Sequence, residues 1–359
     1  SVSWENASAS SYNVEYSEDN STWNTIFTKT NGNGGYTDNF TFQDSVKYVR
    51  INCLTRSTPY GFSIFEIELN GFIDYKEPTF TTKLPVIYIN QPADDKMDNS
   101  KNEVMCDFKI IYDKNNPDTE LEVNSTPSDD PNKIYLDTKA MMHVRGQTSK
   151  DFPKKPYAIT LYDAYGVNKM KKNLFKMGKE NDWILYAAYN DKSLMRNKLI
   201  MDMYREMGHW ASEYQYCEVY LDGVYQGVYM LMEKYKRDNT RIDIQKVDSV
   251  DKTKTGYIFT FDKTESMYDD PEHVFFRTNL TPSTHSDPGN QWHNFEVRYP
   301  KNDDYDYTIH REAIKNYVQT FETALHAGQY DDVFCQYLDV ESALDYMLIN
   351  EFTKNVDAY

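Results

Sequence analysis

The chain has 359 residues, 56 aspartates and glutamates against 39 lysines and arginines, and a net charge of −17. That balance disfavours a nucleic-acid partner and an anionic membrane surface, since both need lysine and arginine to neutralise phosphates. A hydrophobic fraction of 40% and a charged fraction of 26% are those of a globular protein long enough for two or three domains, and no run of about 18 apolar residues predicts a membrane span.

Residues 1–73 read as short strands between polar turns. Tyr12, Val14 and Tyr16 alternate before Asp19-Asn20, residues 47–53 alternate again, and residues 62–69 do so a third time before Asn70-Gly71, which predicts an all-β sandwich. Residues 74–83, with Pro78 and a threonine cluster, read as a linker. Beyond it, 84–90 and 105–113 are strand-like, and 115–132, rich in Pro, Asp and Ser, reads as an exposed loop. Residues 141–144 lead into Arg145-Gly146, and 157–162 alternate as a strand should.

The apolar run 184–189 predicts a buried strand. Asp191 is a candidate N-cap for a helix with Leu199, Ile200, Met203, Tyr204 and Met207 on one face and Gly208 at its close. Asp222-Gly223 between two alternating runs is a hairpin signal, because a type I′ turn needs positive φ at both central residues. Gly227 marks a close approach in the second strand. Residues 256–261 form a further strand, and 264–296 read as a long polar loop. Its His273, His285 and His293, spaced by 12 and 8, match no recurrent metal motif. Ala313 to Leu325 mark a helix ending at Gly328, and Asp339 caps a last helix through Leu344, Met347 and Leu348. The four cysteines, Cys53, Cys106, Cys217 and Cys335, show no CxxC spacing, so zinc is not expected; Cys106 and Cys217 read as core, and a disulfide stays open.

Charge is distributed unevenly. Between Arg145 and Lys179 stand nine basic residues and two acidic ones, Asp151 and Asp163. Lys169, Lys171, Lys172, Lys176 and Lys179 read as a solvated face. Arg145, Lys154 and Lys155 are candidates for a polyphosphate site.

Five separate motifs, RGQTSKDFPKKPYAITL (145–161), NDKSLMRN (190–197), GVYMLMEK (227–234), YPK (299–301) and NEFTKNVDAY (350–359), resemble the spore-coat-protein-H (CotH) family of atypical protein kinases. The stretches 1–23, 47–51 and 60–71 resemble the C-terminal half of a discoidin (coagulation-factor C-type) domain, a galactose-binding-like jelly roll. Together they imply an α+β protein: part of an all-β sandwich over 1–73, a linker over 74–83, and a two-lobed kinase-like domain over 84–359 that is cut at its C-terminal end.

Phosphoryl transfer needs cations around the moving phosphate and an aspartate to orient the acceptor hydroxyl. The resemblance implies Asp357 as that aspartate, and Arg145, Ser149, Lys154, Lys155 and Glu233 around the nucleotide, with Glu233 paired to one of the lysines. It further implies ATP with Mg²⁺ or Mn²⁺, the metal ligand lying beyond Tyr359, and a protein substrate phosphorylated on Ser or Thr outside the cell. A glycan is the expected ligand of the sandwich, with Trp4, Trp23 and Tyr60 as stacking candidates. The rival reading is a non-catalytic adhesion or scaffold protein; a glycan-processing enzyme is weaker, since no carboxylate pair stands out as matched acid and base.

Overall fold

The computed structural model describes every residue except 42–45, 69–79, 263–273, 280–293, 302–306, 331–335, 356, 357 and 359. The chain divides into two compact units, Ser1–Lys76 and Glu77–Tyr359.

The first unit holds β1 (Val2–Trp4), β2 (Ala9–Ser17), β3 (Asn24–Lys29), β4 (Thr37–Asp38), β5 (Tyr48–Arg56) and β6 (Ile64–Ile67). They form two three-stranded sheets, β4-β1-β6 and β3-β2-β5. Alternation along β2 buries Tyr12 and Val14, which pack with Val2, Trp4 and Ala9 into one core. Trp4 therefore serves the core and is not a stacking surface. Trp23 lies under the Arg50 guanidinium, 4.0 Å from ring centre to cation, and Tyr60 is exposed.

The second unit contains β7 (Phe80–Thr82), β8 (Val86–Asn90), β9 (Val104–Ile111), β10 (Leu121–Val123), β11 (Ile134–Val144), β12 (Tyr157–Tyr162), β13 (Lys172–Asn173), β14 (Lys179–Glu180) and β15 (Asp182–Tyr186). Then follow α1 (Arg196–Glu206), β16 (Tyr214–Leu221), β17 (Val224–Glu233), β18 (Ile258–Asp262), β19 (Val274–Phe276), β20 (Asn294–Tyr299), α2 (Tyr307–His326) and α3 (Val340–Thr353). Among the described residues strands dominate.

Seven of these strands close into a barrel in the order β11-β12-β15-β17-β16-β8-β9. Every neighbouring pair is antiparallel except β16 with β8. Side chains alternate across each strand, so Met142 and Val144, Tyr157 and Ile159, Trp183 and Leu185, and Tyr229 and Leu231 fill the interior. On the outer face Ile184, Met230 and Met232 meet Met201 of α1.

The β16–β17 hairpin turns at Asp222 (φ 50°) and Gly223 (φ 77°), the two positive values that the Asp-Gly pair was expected to supply. The Asp222 carboxylate also accepts from Gln91 N at 2.8 Å and Lys96 Nζ at 2.7 Å, tying the hairpin to the end of β8.

Several expectations need correction. Asp191 does not sit at the N-cap of α1, which Met195 occupies; it accepts instead from the Arg196 amide at 2.8 Å across a turn in which Leu194 has φ 58°. Within α1, Leu199 is exposed, while Met201, outside the expected face, packs on the barrel. Two polar segments read as loops contain strands. β10 pairs with β7, whose residues fall in the stretch read as a linker, and β19 and β20 join β18 in a sheet covered by Ile314 and Val318 of α2. Asp339 caps α3, accepting from Ser342 N at 3.1 Å. Cys106 and Cys217 are buried free thiols, and Cys53 is free. His273, His285, His293 and Cys335 lie outside the described residues.

Candidate functional site

The loop 145–156 joins β11 to β12. Gly146 stands at φ 100°, and a Cβ there would collide with the Ser149 hydroxyl, which opens a 3₁₀ turn over Ser149–Asp151. Only glycine suits both demands. Gly146→Ala is expected to cost about 1–3 kcal/mol from backbone strain and steric conflict, readable as a lower urea midpoint. An unchanged midpoint would mean that the loop adapts without strain.

Of the two lysines near the end of the loop, Lys154 reaches the barrel and Lys155 turns back onto the loop. Lys154 Nζ donates to Val228 O at 2.5 Å and lies 4.4 Å from the centre of the Tyr229 ring, which is an interior side chain. Gly227 stands at φ 85°, and a Cβ there would meet the ammonium at an ordinary contact of 3.7 Å. Burial depresses the Lys154 ammonium below its ordinary value, with Cys217 and Glu218 opposing. Lys155 Nζ donates to Lys150 O at 2.7 Å, and Tyr229 Oη donates to Lys155 O at 3.0 Å. Both lysines thus fasten the loop to the barrel.

Glu233 does not pair with either lysine. It shares the interior face with Tyr229 and Leu231 but lies at the far end of β17, about 17 Å along the strand from Val228. There its carboxylate accepts from Glu213 N at 3.0 Å and faces Arg241 Nε at 3.4 Å. It lines a cavity of about 320 Å³ beside Arg205, His209 and Trp210. Burial pushes its carboxyl above the usual range.

The outer face collects charge instead. Alternation sends His143 and Arg145 of the β11 end, Thr160 of β12, Asp182 of β15 and Lys234 after β17 outward. Although solvent reaches Lys234, its ammonium is pushed below its ordinary value, first by desolvation and then by Lys301, Arg145 and Lys236, with Asp182 opposing. His143 is lowered by burial and by Lys234, Arg145 and Lys101, against Glu103. Arg145 is lowered by burial. Among the described residues, the side chains of Arg145, Lys234 and Lys301 have neither a hydrogen bond nor an ion pair.

Asp182, the acid that acts on Lys234, is already engaged. It binds Lys236 Nζ at 2.7 Å and accepts from Thr160 Oγ1 at 2.9 Å. Burial pushes its carboxyl up, but Lys236 and Thr160 outweigh burial and hold it below the usual range. A depressed folded pKa stabilises the fold above the unfolded value and loses that contribution as pH falls through the folded one. Asp182→Asn should therefore flatten the loss of stability below about pH 4, measured as melting temperature against pH. Glu233, raised by burial, has the opposite sign: its protonation favours the fold. An acid limb as steep as wild type would mean that Asp182 carries no part of it.

A family model described as CotH kinase protein matches residues 142–359. The chain belongs to the CotH family. A second model, the F5/8 type C domain, matches residues 1–67, the discoidin-like sandwich. Inner spore coat protein H of Bacillus subtilis (strain 168) is 35% identical over 89 residues, a stretch covering 25% of this chain and 22% of that protein.

The CotH match contains all five motifs, yet the barrel strands β8 and β9, and most of β11, lie before it. Within the CotH motifs, the structure brings together Arg145, Lys234 and Lys301, of which only Arg145 stands among the ligands expected from sequence. Lys234 and Lys301 end GVYMLMEK and YPK, and that shared terminal lysine was the available signal. Asp357 lies outside the described residues, as do Val356 and Tyr359.

Proposed function

We propose that this CotH-family chain carries the nucleotide-binding part of an atypical protein kinase. It would transfer the ATP γ-phosphate to Ser or Thr of extracellular or coat-type proteins, acting at a coat or cell surface. The observation that supports this reading best is the convergence of three unpaired cations, Arg145, Lys234 and Lys301, contributed by three separate CotH motifs. Like charges gathered with only Asp182, itself held by Lys236, to oppose them repel, so the arrangement would be stabilised when a polyphosphate supplies further negative charge.

In this reading Arg145 grips phosphate oxygens as a fork, Lys234 and Lys301 act as point charges, and the Gly146–Lys150 turn covers them. Asp357 accepts the proton of the acceptor hydroxyl as its oxygen bonds to the γ-phosphorus, and ADP departs with the electrons of the broken bond. Lys154 and Lys155 hold the covering loop in place. One departure from protein kinases is plain: β15, the strand preceding the helix, bears no lysine between Asp182 and Tyr186. Lys234, just past the end of β17, would supply that charge instead.

Three cations would suit the charge of a nucleotide's phosphates. Among the described residues no group of three or more His, Cys, Asp or Glu side chains could hold a metal ion. Mg²⁺ or Mn²⁺ remains what family membership leads one to expect, and its role would be to neutralise phosphate charge. No described helix is long and apolar enough to cross a membrane.

The sandwich would direct the kinase to a glycan, with exposed Tyr60 as the stacking residue that the fold leaves available. The test is incubation of the protein with γ-labelled ATP, a divalent metal and a serine-rich protein. Label on protein supports the reading; labelled inorganic phosphate alone, or no turnover in the longest native form, overturns it.

A further inference from the structure

Arg241 is completely buried, an expensive position for a guanidinium unless its hydrogen bonds repay desolvation. They do so only in part. Nη1 donates to two backbone carbonyls, Asp182 O at 2.9 Å and Lys234 O at 2.8 Å. Nε and Nη2 have no hydrogen-bond partner, although Nε lies 3.4 Å from Glu233 Oε1, and the group stacks 4.9 Å from the centre of the Trp183 ring.

The two carbonyls identify what this arrangement does. The β15–β17 ladder ends at Trp183 opposite Glu233, so Asp182 and Lys234 would form the next pair, and no ladder bond joins them. Arg241 bridges them from inside the barrel. Their side chains project outward, where Lys234 is one of the three gathered cations and Asp182 is the acid that acts on it.

We propose that Arg241 is a positioning residue: by clamping the carbonyls of Asp182 and Lys234 it fixes where the Lys234 ammonium stands relative to Arg145 and Lys301. The inference rests on the phosphate-site reading above. A residue that only supported the barrel would need no bond to the one backbone position whose side chain enters the cation group. Lysine at 241 would keep the charge, but its shorter, unbranched stem cannot both lay a planar head on the Trp183 ring and place donors where Nη1 meets the two carbonyls.

The experiment is a double-mutant cycle on ADP affinity, measured by calorimetry on the full chain, with Arg241→Lys, Lys234→Ala and the double variant, and with melting temperatures recorded. Arg241→Lys should weaken ADP roughly tenfold. The double variant should be no weaker than Lys234→Ala alone, since Arg241 acts through Lys234. Multiplying effects would overturn the proposal, as would a lower melting temperature with ADP affinity unchanged, which is what a purely structural residue gives. If Arg241→Lys does not fold, the near-isosteric Glu233→Gln, which removes the counter-charge from Arg241, takes its place and is judged by the same coupling to Lys234. Should Lys234→Ala itself leave ADP affinity unchanged, the phosphate-site reading fails, and the clamp fails with it for that separate reason.

Discussion

Asp357→Ala should remove phosphoryl transfer while leaving nucleotide affinity and melting temperature near wild type. Loss of a positioned proton acceptor typically costs roughly 10²- to 10⁴-fold in rate. The separation of effects is what the proposed function requires: the cations would bind nucleotide, the aspartate would serve the acceptor hydroxyl, and only the second task would be lost. Asp357→Asn, of equal size, should be almost as impaired, because an amide cannot accept the proton. The measurement is the initial rate of label transfer from ATP to a serine-rich protein. Transfer within about threefold of wild type would take Asp357 out of this role, since that is far below the loss of a general base.

The largest loss of stability is expected from Trp183→Ala. Its ring is wholly buried in the barrel, its Nε1 donates to Glu180 O at 3.1 Å, and the Arg241 guanidinium rests on it. Truncation removes the apolar contacts, opens a cavity, leaves a buried carbonyl without its donor and deprives a buried cation of its ring. About 3–5 kcal/mol should be lost, a large share of a typical folding free energy. Urea unfolding would report it, with Tyr165→Ala as a control expected to change stability by less than about 0.5 kcal/mol, because Tyr165 stands exposed on a turn. A loss below about 1 kcal/mol at Trp183 would mean that the barrel interior repacks around the gap.

What sequence reveals about this protein follows the range of the interactions. Asp222-Gly223 and the Asp339 cap are local, each set by a few neighbouring residues, and both are legible. Barrel closure is not. It depends on β8 lying parallel to β16, with Val86 beside Glu218, and no local pattern specifies a pairing so distant in the chain. Short strands in polar surroundings, such as β10 and β19, are equally hidden, since they are held by their partners and not by their own composition.

The site was half legible for a related reason. Motifs mark which stretches matter, but the period of two decides which side chains share a face. In GVYMLMEK that period turns Glu233 inward to Arg241 and Lys234 outward to Arg145, reversing the roles that adjacency suggests. In KKP the lysines fasten the loop to the barrel. Arg241 carries no sequence signal at all: its importance lies in two backbone carbonyls, which every residue has.

Nucleotide binding by this chain would require Arg145, Lys234 and Lys301 to hold a polyphosphate together. Calorimetric titration of ATP and ADP into the protein and into the three single alanine variants, at low and high salt, asks that directly. The account predicts measurable binding by wild type that weakens with salt, about tenfold weaker binding for each variant, and a flatter salt dependence whenever one cation is missing. Binding that is absent in wild type, or that is unchanged in each of the three variants, would contradict it.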